Sequence, residues 1–143
     1  LCAILGGDAI FAALKEHLGI GNAGTTPDNK VTLEHIECNA ACDYAPVVMI
    51  NWEFFDNQTV ESAKELVDKL RAGDLPVPTR GAPLITHVET SRVLAGFADR
   101  LVNEGPSAGP GSLVGVELAK ERGDAAPAFD KASAPEHESK EPS

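Results

Sequence analysis

Three cysteines, Cys2, Cys38 and Cys42, are the side chains of this 143-residue chain best suited to chemistry. Cys38 and Cys42 enclose Asn39-Ala40-Ala41 in a C-x3-C loop, and Cys2 precedes the first helical pattern. Thiolates bind soft metals, whose positive charge lets several sulfurs ionise side by side. Small residues between Cys38 and Cys42 let backbone N–H groups approach the sulfurs, and such contacts tune an iron–sulfur centre. Other readings use the same residues. A disulfide leaves one cysteine over, and no export signal is read at the start of the chain. A dithiol oxidoreductase uses C-x-x-C, one residue shorter. Zinc wants four protein ligands, with His35 as the candidate fourth. Spacing alone divides evenly between a metal site and unliganded core cysteines.

Such thiols need elements to place them. Asp8 suits a helix N-cap, Ile10, Leu14 and Leu18 then form a stripe, and Gly19 suits the C-terminal cap. A polar loop covers 21–29. Val31 to Ile36 partly alternates and reads as a strand, Val47 to Ile50 as a buried strand, and Trp52 to Phe55 as another. Asp56-Asn57 is turn material. Thr59 suits the cap of a last helix, with Ala63, Leu66, Val67 and Leu70 facing inward and Gly73 closing it. The order helix, strand, strand, strand, helix is an α/β layer pattern, a small sheet covered by two helices. An initial strand just upstream of Leu1 would complete it. In such a unit the start of a helix lies beside the loops leaving the strands. All three thiols are therefore expected at one sheet edge.

Composition bounds the partners. Twelve basic against 22 acidic residues leave a net charge of −10. That argues against nucleic acid and an anionic membrane surface. No run approaches the roughly 20 apolar residues of a spanning helix, so no membrane insertion is expected. Eight of the 10 prolines follow Asp74. The Pro76-Val77-Pro78 run marks the expected boundary between a folded domain, 1–74, and an extended, largely disordered tail, 75–143. Val93, Leu94, Phe97 and Leu101 allow one short helix near 90–102, marginal unless docked. The opening Leu1-Cys2-Ala3 reads as cut from something longer.

Cys2-Ala3, the helix after it, and the stretch from Leu33 through Cys38-Asn39-Ala40-Ala41-Cys42 to Asn51 closely resemble one family. It is the thioredoxin-like [2Fe–2S] ferredoxin, in the form found as the 24-kDa-type subunit of NADH-quinone oxidoreductase, respiratory complex I. The resemblance runs from Leu1 to about Gly73. It implies a [2Fe–2S] cluster on four thiolates, with Cys2, Cys38 and Cys42 as three ligands. The fourth cysteine is expected before Leu1, about four or five residues ahead of Cys2. Many relatives carry a Gly inside the C-x3-C, where this chain has Asn39-Ala40-Ala41.

The resemblance further implies an electron-transfer subunit, not catalytic alone. It would sit beside a flavin- and NADH-binding partner subunit and other peripheral-arm subunits. The arm faces the cytoplasm in bacteria and the matrix in mitochondria. FMN and NADH belong to the partner, since this chain has no G-x-G-x-x-G and no Walker loop, and Gly6-Gly7 reads as a helix approach. NAD-linked hydrogenases and formate dehydrogenases share the pattern. A different class is a cluster-free interaction module of the same fold, and the residues upstream of Leu1 discriminate it. Trp52, Phe54 and Phe55 are expected in a core or an interface. His17 and His35 read as surface residues, and His87 and His137 as tail residues without chemistry. Glu34, Glu37 and Asp43 read as a solvated acidic rim.

Overall fold

The computed structural model describes residues 1–98, 104–105 and 108–127, and the chain divides into two compact units, Leu1–Ser112 and Leu113–Ser143. The first unit begins with a turn at Cys2, where the Gly7 N–H donates to the Cys2 carbonyl at 2.6 Å. Helix α1, Gly7–Leu18, follows. Its N-cap is Gly6 at φ 111°, not Asp8, which lies in the first turn and faces the positive end of the helix dipole. Gly19, at φ 67°, closes the helix as expected. Helix α2, Val60–Ala72, is capped by Thr59 through a reciprocal pair of bonds with Ser62. The two helices pack on each other. Ile10, Leu14 and Leu18 meet Ala63 and Val67, and Ile20, Val31, Leu33, Val48 and Val60 close around them. Leu66 and Leu70 are only half-buried.

The strands are shorter than their sequence patterns and form two ribbons instead of one sheet. Strand β1, Gly24–Thr25, lies in the expected polar loop and pairs antiparallel with β2, Thr32–Leu33, so the expected strand 31–36 shrinks to two residues. Polar residues suffice there because Thr25 and Thr32 hydrogen-bond across the pair at 2.9 Å. Strands β3, Val48–Ile50, and β4, Glu53–Phe55, form a hairpin with Ile50 opposite Glu53. Its two-residue loop, Asn51-Trp52, has φ of 47° and 75°, the twist of a mirror-image turn. Asn suits that conformation and Trp does not. Trp52 is 64% exposed at the tip, so of the core or interface expected of it only the core is ruled out, while Phe55 is buried at 2% exposure.

The segment after α2 departs from the expectation of a free tail. Residues 79–85 run along the hairpin: Thr79 donates its N–H to the Phe54 carbonyl at 2.9 Å, Arg80 bridges to Phe54, and Leu84 is buried. Gly81 suits that place, because its φ of 92° is one that L side chains rarely adopt. Helix α3, His87–Leu94, is capped by Thr86 and Glu89 and covers the first part of the expected 90–102 helix. Residues 99–103 lie outside the described residues, as does the stretch from 128 on that holds His137. A further helix, α4, Pro110–Arg122, has no counterpart among the expected elements. In the second unit its Leu113, Val114, Val116 and Leu118 are exposed, and no one-sided stripe announces it.

The loop from β1 to β2 ties to the end of α2. Thr26, 1% exposed, donates to the Asp28 carboxylate at 2.5 Å and accepts the Val31 N–H at 3.1 Å. Asp28 in turn meets the Arg71 guanidinium at 3.1 Å. Replacing Thr26 with Val should lower stability to urea by about 1–3 kcal/mol, because it leaves the part-buried Val31 N–H without its partner. The Thr26 hydroxyl, and after a smaller opposing desolvation Arg71, hold Asp28 down from 3.8 to about 2. A lowered carboxyl stabilises the fold above its unfolded value and loses that contribution as pH falls through the folded one. Asp28→Asn should therefore flatten the stability curve between pH 3.8 and about 2, read by urea titrations at stepped pH.

Candidate metal centre

The cysteine loop joins the two ribbons. It leaves β2 and returns to β3 through a 3₁₀ turn, Cys42–Tyr44. Ala40 sits at φ 53°, in the left-handed region, and this aims its N–H back at Cys38, whose sulfur accepts it at 3.3 Å. Ala41 is buried and anchors the loop, while Cys38 and Cys42 are exposed. The Tyr44 N–H donates to the Ala41 carbonyl at 3.1 Å, and the Tyr44 carbonyl accepts from Asn57 at 2.8 Å. The loop is thus stitched to the turn after β4.

Cys38 and Cys42 are brought together. The Cys38 thiol hydrogen-bonds to Cys42 and repels a second negative charge beside it, so it pushes the Cys42 thiol up from its ordinary range. Cys2, half-buried at the start of α1, lies close enough for its own charge to push in the same direction. Two thiols so placed resist ionising together, and a bound cation removes that penalty. Among the described residues no three His, Cys, Asp or Glu side chains gather around one point as a single ion requires. The ring of His35, the candidate zinc ligand, meets Phe11 edge-on at 5.2 Å. A two-iron cluster asks for a different arrangement, thiolates in pairs, one pair to each iron. The adjacent Cys38 and Cys42, with an amide N–H already on one sulfur, fit one such pair, and Cys2 fits as a member of the other.

Glu34 and Glu37 are exposed, and the Asp43 carboxylate accepts from the Ser112 hydroxyl. His17 pairs with Asp68 at 2.7 Å between the helices, and His87 opens α3. One group escapes any reading of the residues in line, the Arg80 guanidinium. It lies over the Tyr44 and Phe54 rings at 5.3 and 4.5 Å and pairs with Asp56 at 3.1 Å. The only hint is Gly81 beside it, a residue type that marks close backbone approach.

Comparison with known proteins accords with this geometry. Residues 1–71 match the family described as thioredoxin-like [2Fe–2S] ferredoxin. An NADH-quinone oxidoreductase subunit from Mycobacterium tuberculosis is 61% identical over 129 residues, covering 89% of this chain and 51% of that protein. The subunit of the same name from Rickettsia bellii is 43% identical over 70 residues, 49% of this chain and 42% of that protein. A mitochondrial relative from Dictyostelium discoideum, NADH dehydrogenase [ubiquinone] flavoprotein 2, is 41% identical over 70 residues, 49% of this chain and 28% of that protein. The chain spans about half the length of the mycobacterial relative.

The left-handed Ala40 gives a direct check on the loop. A non-glycine residue there is strained by roughly 1–2 kcal/mol. Ala40→Gly should keep or raise urea stability by up to about 1 kcal/mol, and Ala40→Val should lower it, because a β-branched residue tolerates that region least.

Proposed function

Because this chain, through residues 1–71, belongs to the thioredoxin-like [2Fe–2S] ferredoxin family, we propose that it is the electron-transfer subunit of an NADH-quinone oxidoreductase, with Cys2, Cys38 and Cys42 as cluster ligands. The observation that carries this is the thiol pair Cys38 and Cys42 with the Ala40 N–H on a sulfur. A [2Fe–2S] cluster held there supplies a one-electron couple. The chain's own residues do the rest. Cys38 and Cys42 bind as thiolates, and Ala40 steadies the charge on Cys38 by its amide. Cys2 is set by the α1 turn through Gly7. A [2Fe–2S] cluster asks for a fourth thiolate beside these three.

The subunit works beside a flavin- and NADH-binding partner and other members of a peripheral arm, and it is not catalytic alone. Among the described residues no helix is long and apolar enough to cross a membrane, which suits such an arm. On this reading its place is the cytoplasmic side of the bacterial inner membrane, or the matrix side in a eukaryote, and two of the relatives named above are bacterial. The cluster-free module is not favoured, since the thiols and the relatives point the same way.

Ligand substitution tests the assignment. The full-length protein, reconstituted anaerobically, should hold iron and sulfide at about two of each. Cys38→Ser and Cys42→Ser should each lower that content severalfold while far-UV circular dichroism stays unchanged. Full iron and sulfide in both variants would remove these residues from the ligand set.

A further inference from the structure

Arg80 lies outside the residues that match the family, 1–71, yet it touches the cysteine loop. Its side chain is 12% exposed and that of Asp56 is 8%, so the ion pair between them is largely withdrawn from water. A guanidinium so placed needs its partners. Asp56 takes one N–H at 3.1 Å, and the rings of Tyr44 and Phe54 lie within cation–π range. The Nε–H is buried without an acceptor among the described residues, so the rings and Asp56 hold the group in place. Thr79 fixes the backbone beside it by binding both the Phe54 carbonyl and the Asp56 carboxylate at 2.9 Å. Tyr44 is the last residue of the 3₁₀ turn that carries Cys42, and its hydroxyl accepts the Gly111 N–H at 2.8 Å.

We propose that Arg80 is a positioning residue for the cysteine loop, clamping the turn that carries Cys42 through the ring of Tyr44. The strap after α2 then governs how firmly the loop holds its thiols. The geometric half of this stands on the loop alone, and its consequence for the cluster rests on the function proposed above.

Two readouts on the full-length protein separate those halves. In the cluster-free protein, Arg80→Ala should speed hydrogen exchange of the Tyr44 and Asn57 amides by about tenfold, with α1 and α2 amides unchanged. Arg80→Lys keeps the charge but loses the planar fork, so it should fall between wild type and Arg80→Ala; it also serves if the alanine variant does not fold. In the reconstituted protein the same order should appear in the rate of iron release to a chelator. Unchanged exchange at Tyr44 and Asn57 in a folded variant would overturn the clamp. Faster exchange with unchanged iron release would confine Arg80 to the apo loop and overturn its role in holding the cluster. Failure of wild type to take up iron and sulfide would instead overturn the electron-transfer reading and leave the exchange result to decide the clamp.

Discussion

The packing of α1 on α2 is the contact on which the placement of the thiols depends. Ile10, Leu14 and Leu18 bury one face of α1 against Ala63 and Val67, and the small Ala63 lets the helices approach closely. Each such aliphatic side chain, fully buried, contributes about 1.5–3 kcal/mol. Because the Cys2 turn runs straight into α1, the seating of that helix is also the seating of Cys2. The other end of the contact works the same way. The Gln58 N–H, just before α2, donates to the Pro46 carbonyl at 2.9 Å, which ties the helix to the strand entered from the cysteine loop.

Around that frame the loop manages a charge problem. Cys38 stands close enough to push the Cys42 thiol up from its ordinary range. The fold offers one amide N–H to the Cys38 sulfur. The left-handed Ala40 is the means, since it turns its N–H toward that sulfur. Beyond the thiols, the buried Arg80–Asp56 pair joins the strap to the hairpin and to Tyr44, so the loop is braced from both sides.

Much of this was legible in the residues themselves. The stripes of α1 and α2 were plain, because a 3.6-residue period repeats over several turns and Gly19 and Gly73 close the two helices. The C-x3-C loop was plain too, and so was its kinship. The strands were less so. Two or three paired residues carry almost no periodic signal, and β1 is built from Gly24 and Thr25, which read as loop. Trp52 misled because an aromatic residue after a β-branched run reads as strand, while its backbone is a hairpin turn. Helix α4 lacked a one-sided apolar face and so left no pattern to find. Arg80 was invisible for another reason. Its partners Tyr44, Phe54 and Asp56 come from elsewhere in the chain, and only the folded hairpin brings them together.

On the proposed function, these thiols carry a cluster that moves single electrons. Low-temperature electron paramagnetic resonance of the anaerobically reconstituted, dithionite-reduced full-length protein tests it most directly. A rhombic signal of a reduced two-iron cluster is expected. A protein that is folded and reduced but silent, with iron and sulfide absent, would contradict it.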